Sequence, residues 1–131
     1  MYTSMKDMLI HASENNYAVM AINCVDMEQA MAAIYAAEEE KSAVIIDISP
    51  RQMKAHAIPQ VMMSIVKTLA QDVSVPVALN LDHGAQFDDI NEVIIKGYSS
   101  VMVDASSLDF EENVRRTKLV ATLAHAKNLS C

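Results

Sequence analysis

The sequence predicts a parallel α/β fold, and three observations predict it. Apolar, β-branched runs alternate four times with segments of helical periodicity. Only 2 of the 131 residues are Gly, far below the usual share of about 7%, so few turns need a positive φ and the connections should be short. The chain is 52% hydrophobic and 21% charged, with 10 Met, which is the composition of a folded domain with adaptable helix packing and not of a disordered chain.

Each element follows from local pattern. Thr3 to Asn15 reads as a leading helix with Met5, Met8 and Leu9 on one stripe, and Tyr17 to Asn23 as the first strand. Asp26 opens a helix that runs to about Glu40, with Gln29 three residues on as in a capping box. Ala43 to Ile48 is the second strand, ended by Ser49-Pro50. Ile58, Val61, Met62, Ile65, Val66 and Leu69 then repeat at helical offsets, with Pro59 tolerated in the first turn. Val75 to Leu81 is the third strand, with Pro76 confined to its start, and Gly84 is expected to break it. A helix from about Phe87 to Ile95 stops at Gly97. Ser99 to Asp104 is the fourth strand, Asp109 and Glu112 start a long helix to about Lys127, and Leu129-Ser130-Cys131 begins a fifth strand.

This is one domain over residues 1–131, long enough to bury a core. Four β-α units of roughly 28 residues match half of an eight-fold barrel. An open doubly wound sheet has the same alternation, and periodicity alone does not separate the two.

The net charge of −7 argues against a nucleic-acid partner, which needs clustered Lys and Arg. Glu38-Glu39-Glu40 reads as a solvated helix end. Cys24 and Cys131 form no CxxC motif, so reduced thiols and a cytoplasmic location are expected. No signal-peptide pattern leads the chain and no apolar run reaches about 18 residues, so no membrane partner is expected.

Every strand finishes on small polar or acidic residues: Asn23, Ser49, Asp82 with His83, and Asp104. In parallel α/β folds ligands gather at the carboxyl ends of strands. Unpaired polar groups at a buried strand end cost free energy unless something satisfies them. Singly, each residue is as well explained by capping or turn hydrogen bonds; four in register favour a pocket. Side chains alternate along a strand, so Asn80 and Asp82 share one face and Leu81 takes the other. Asp82-His83 pairs an acid with a metal-capable imidazole. Asp47 shares Ser49's face and is read as structural. His11, His56 and His125 lie away from the strand ends. Ser106 and Ser107 have no His-Asp relay, and there is no Gly-rich phosphate loop.

The chain resembles the class II, zinc-dependent ketose-bisphosphate aldolases, the fructose- and tagatose-bisphosphate aldolase group. The resemblance rests on Tyr17-Ala18-Val19 with Ala21-Ile22-Asn23, Ser42-Ala43-Val44-Ile45, Ser49-Pro50, Val75-Pro76-Val77-Ala78-Leu79 into Leu81-Asp82-His83-Gly84, Gly97-Tyr98, Ser100 through Ser106, and Phe110-Glu111-Glu112-Asn113. It implies a TIM (β/α)8 barrel, of which this chain supplies the first four β-α units and the start of strand five. It implies reversible aldol cleavage of fructose- or tagatose-1,6-bisphosphate to dihydroxyacetone phosphate and glyceraldehyde 3-phosphate, with Zn2+ as Lewis acid. Carried over, His83 is one of three zinc-binding histidines and Asp82 exchanges the proton of the C4 hydroxyl. Asn23 and Ser49 are substrate-contacting, and Asp104 is an acid near a secondary metal site. The family usually has His where this chain has Asn80, and its remaining zinc histidines follow the segment present here. A different class of protein, a non-catalytic, self-associating half-barrel or binding module that keeps part of the pocket, shares every one of these residues.

By themselves, 131 residues would leave strands one and four as open edges and uncover an inward face that includes Ile45, Val77 and Met102. Exposed strand edges and apolar patches above about 400 Å² invite partners, so a homo-oligomer is expected.

Overall fold

A computed structural model describes all 131 residues, Met1–Cys131. Strands form where β-branched apolar residues cluster: β1 (Met20–Asn23), β2 (Val44–Ile48), β3 (Val77–Gly84) and β4 (Ser100–Val103). All neighbours are parallel, in the order β1-β2-β3-β4. That order decides between the two architectures open at the level of sequence. A doubly wound sheet reverses its strand order at a switch point, whereas a barrel adds each new strand to the last. Ser130 continues the series: it bridges Ser100 in parallel, with Val101 N donating to Ser130 O at 3.1 Å and Ser130 N to Ser99 O at 3.2 Å. The start of a fifth strand is therefore in place.

Helices fill the crossovers. α1 (Met5–Glu14) precedes β1, α2 (Met27–Glu39) joins β1 to β2, and α3 (Pro50–Ala55) with α4 (Pro59–Leu69) joins β2 to β3. α5 (Phe87–Lys96) joins β3 to β4, and α6 (Phe110–His125) follows β4. Asp26 caps α2 through Gln29 N at 2.9 Å, and Asp109 caps α6 through Glu112 N at 3.0 Å. α5 ends at Gly97 with φ 92°, the left-handed closure glycine supplies without a Cβ penalty.

The sheet sorts its side chains by parity. Val44, Ile46 and Ile48 of β2 join Val77, Leu79 and Leu81 of β3 in the main core, packed with Ile34, Met62, Val66 and Val93 from the helices. Ile45 and Ala78 point the other way, where Met8 of α1 covers them. Val77 thus belongs to the helix side and not to the inward face: it lies two residues from Leu79 and must share its side.

Three further differences have local causes. β1 begins at Met20 and not Tyr17, because Tyr17 N donates to Ala12 O at 3.1 Å and is held by the end of α1. The six-residue α3 is too short for periodicity to find, although Ser49-Pro50 marks its start. Glu38 is not simply solvated: it accepts from Ser74 N at 2.7 Å and Val75 N at 3.2 Å, and it pairs with Lys41. It ties the end of α2 to the segment that enters β3. Glu39 and Glu40 are exposed, both cysteines are free, and no helix is long and apolar enough to cross a membrane.

Candidate active site

The face opposite the helices changes character along the strands. Ala21, Ile45 and Ala78 are in register near the amino-terminal end, and the next inward layer is Asn23, Asp47, Asn80 and Ser100. The last three are only 9%, 6% and 0% exposed. Asn80 Nδ2 donates to Asp47 Oδ1 at 2.9 Å, while Asn80 Oδ1 and Ser100 Oγ have no partner. Burial pushes the Asp47 carboxyl above the usual range; the bond from Asn80 opposes this and the charge of Asp82 adds to it. Asp47 is thus held within the inward layer by Asn80, below the rim that carries Asp82.

Above this layer β3 does not stop at Leu81; it runs on to Gly84. Leu81 pairs with Val101 but Gly84 pairs with Val103, so β3 spends three steps where β4 spends two. The extra residue is a β-bulge, and His83 adopts φ 56° within it. In a regular strand His83 would point opposite to Asp82, into the helices. The bulge turns both onto the same rim. Gly84 makes this possible, since a Cβ there would lie 2.7 Å from Met102 O and 2.8 Å from Ile90 Cγ1.

The five predicted residues lie along one series of polar contacts. Asn23 Nδ2, at the end of β1, is 3.4 Å from Asp82 Oδ2. Asp82 Oδ1 is 3.8 Å from His83 Nε2, and His83 Nδ1 is 2.8 Å from Asp104 Oδ2. Asp104 Oδ1 in turn accepts from Ser106 Oγ at 2.7 Å and Ser106 N at 3.2 Å. Ser49 joins through Gln52, whose Oε1 accepts from Ser49 N at 2.7 Å and from Asn23 Nδ2 at 3.4 Å. Ser49 Oγ accepts from Gln52 N at 3.4 Å, which completes a capping box and leaves its hydroxyl proton available.

The charges reinforce the geometry. The Ser106 hydroxyl and His83 bring the Asp104 carboxyl down to about 2. The same Asp104 bond, followed by the charge of Asp82, holds the His83 imidazolium above its ordinary value. Nδ1 is thereby committed to a carboxylate while Nε2 stays open, on a side chain 62% exposed. Gln52 escaped the sequence reading, although the Ser-x-x-Gln spacing of Ser49 and Gln52 was an available signal. Ser106, read from sequence as having no His-Asp relay, does stand beside such a pair, but it bonds the acid and not the imidazole. His11, His56 and His125 are exposed and stand apart from this cluster.

Strands added in sequence, with helices on the outer face and an acid–imidazole pair at the strands' carboxyl ends, are the arrangement of half of a (β/α)8 barrel. The model of the family "Fructose-bisphosphate aldolase class-II" matches residues 3–131, and the chain belongs to that family. It is 41% identical over 129 residues to a fructose-bisphosphate aldolase of Staphylococcus aureus and 43% identical over 129 residues to one of Geobacillus stearothermophilus, covering 97% of this chain and 45% of each relative. Among solved structures, the YdjI aldolase from Escherichia coli K12 superposes with a TM-score of 0.91 at 32% identity, over 98% of this chain and 48% of that one. Fructose-bisphosphate aldolase from Campylobacter jejuni shares the fold, with a TM-score of 0.83 at 22% identity over 99% of this chain and 47% of that one. The chain spans about half the length of the curated relatives it matches.

Proposed function

We propose that this chain supplies the proton-transfer and first metal-ligating edge of a zinc-dependent ketose-bisphosphate aldolase. The substrate is fructose- or tagatose-1,6-bisphosphate, cleaved reversibly to dihydroxyacetone phosphate and glyceraldehyde 3-phosphate. The observation that carries the reading is the bulged end of β3, which turns Asp82 and His83 onto one rim with Asp104 against the far imidazole nitrogen.

The residues present fit a metal in part. A carboxylate on one imidazole nitrogen fixes the tautomer and leaves the other as a ligand, the usual outer-shell arrangement of a metal-bound histidine; His83 has it. No group of three or more His, Cys, Asp or Glu converges on a cation position within these residues, so the remaining ligands belong to the rest of the barrel. A zinc ion held there supplies Lewis acidity at the ketone carbonyl. Asp104 Oδ2 keeps a free lone pair for a secondary metal, whereas Oδ1 already accepts two bonds from Ser106.

In the cleavage direction Asp82 takes the proton of the C4 hydroxyl, the C3–C4 bond breaks, and its electron pair remains on C3. C4 leaves as the aldehyde carbon. Asn23 holds the Asp82 carboxylate through Oδ2, and Asn23 and Ser49 offer hydrogen bonds to the substrate. No lysine stands at a strand end, which disfavours a Schiff-base route. The cytoplasm is the location that suits reduced cysteines and a sugar-phosphate substrate, and a homo-oligomer is the assembly expected.

The test is zinc-dependent cleavage of either bisphosphate by the complete polypeptide that carries these residues, with and without Asp82→Ala. Loss of several orders of magnitude is expected. Activity that survives the substitution removes Asp82 from its role, and an inactive, self-associating wild type favours a non-catalytic module.

A further inference from the structure

We propose that Gln52 is a positioning residue of this site: it sets which end of the Asn23 amide faces the substrate. The inference rests on the aldolase reading and extends it to a residue on the loop after β2. The argument begins at a group that has no choice. Ser49 N–H can only donate, so the Gln52 atom 2.7 Å from it is the acceptor Oε1. That same oxygen is 3.4 Å from the Asn23 amide, and an acceptor requires a donor opposite, so Asn23 presents Nδ2 to it. The other neighbour of this nitrogen is Asp82 Oδ2 at 3.4 Å, also an acceptor. The two N–H bonds of Asn23 are therefore both directed within the protein, and Oδ1 is left as the outward acceptor.

This orientation has a chemical meaning. An outward amide oxygen accepts from a substrate hydroxyl, whereas an outward NH2 would offer donors and turn Oδ1 toward the Asp82 carboxylate. One backbone N–H thus fixes the polarity of a substrate contact across two side chains, Gln52 and Asn23. Asn23 alone does not determine it: without Gln52, only Asp82 would choose the amide's orientation, and Asp82 has to change its protonation state during turnover.

Gln52 also caps the six-residue α3, and the experiment has to separate capping from positioning. A double-mutant cycle in the complete polypeptide does so, with kcat/KM for bisphosphate cleavage as the readout. Gln52→Met should lower kcat/KM by about 3- to 10-fold, the worth of one modest hydrogen bond. In an Asn23→Ala background the same substitution should change it less than 2-fold, because the group it acts through is gone. Gln52→Glu, which keeps an acceptor for both Ser49 N–H and Asn23 Nδ2, should recover most of the loss, with kcat restored along with KM. An equal Gln52→Met effect in both backgrounds assigns Gln52 to capping alone, and no recovery with Glu shows that an acceptor at this position is not what Asn23 needs; either result overturns the inference. A wild type that cleaves neither bisphosphate overturns the aldolase reading and this inference with it; an active wild type with an additive cycle overturns the inference alone.

Discussion

His83 Nδ1 lies 2.8 Å from Asp104 Oδ2 while His83 Nε2 lies 3.8 Å from Asp82 Oδ1. One imidazole is held by the acid that follows β4 and faces the acid of its own strand. The first contact is a hydrogen bond; the second is too long to be one. Asp104 therefore orients the ring and Asp82 does not.

Asp104→Ala should weaken metal binding by the complete polypeptide about 10- to 100-fold, the usual effect of losing a ligand's carboxylate partner. A competitive chelator titration reads this directly. Asp104→Asn should lose less, since its amide oxygen still accepts from Nδ1–H. Unchanged affinity in Asp104→Ala would show that His83 is oriented by something else.

The two glycines should fail for different reasons. Gly84→Ala puts a Cβ within 2.7 Å of Met102 O and 2.9 Å of Leu81 Cδ2, an overpacking that costs about 1–3 kcal/mol. Gly97→Ala meets nothing nearer than Met63 Cε at 3.8 Å but must hold φ 92°, costing about 1 kcal/mol. In urea melts Gly84→Ala should be the more damaging. It should also change the near-neighbour environment of His83 in NMR spectra, which Gly97→Ala should not.

Asp47→Asn should stabilise the fold by about 1 kcal/mol at pH 7. The new amide still accepts from Asn80 Nδ2, removes a buried charge, and adds a donor for the unpartnered Asn80 Oδ1. The carboxyl of Asp47 is raised in the folded state, so the wild type regains stability as pH falls through that raised value. The advantage of the variant should shrink accordingly in denaturant titrations at successively lower pH.

Glu38 governs the opposite limb. Lys41 and the Ser74 N–H and hydroxyl hold its carboxyl down at about 2. A depressed folded value gives stability that is complete above the unfolded value of about 4.3 and is lost as pH falls toward the folded one. Thermal melts between pH 5 and 2 should therefore fall less steeply for Glu38→Gln than for the wild type. Asp104 and Glu112, both also near 2, should leave a residual slope in the variant.

Most of the fold was legible because it rests on parity and on punctuation. Val44, Ile46 and Ile48 against Ile45 and Asp47 is a pattern of alternation, and Asp26, Asp109 and Gly97 are terminus signals that act locally. Strand order was not legible, since a barrel and a doubly wound sheet impose the same alternation. The location of the site was also readable, as polar residues at strand ends. What could not be read was which of them touch. A bulge depends on register between two strands, so Gly84 looks like a strand breaker from sequence and is in fact a paired member of β3. Gln52 was hidden for a related reason: its role depends on Asn23, 29 residues earlier in the chain.

The bulge makes the chemistry of this rim depend on a count as well as on residue identity. Only Asp82 and His83 lie between Leu81 and Gly84, and with either one deleted β3 could pair with β4 without interruption, more regularly than it does now. The rim would then keep an acid or an imidazole but not both, and the residue left would return to ordinary alternation. The ladder would be better and the site would be gone. For this segment, a single-residue deletion is a more severe change than most substitutions, and the irregularity in the sheet is itself part of what builds the rim.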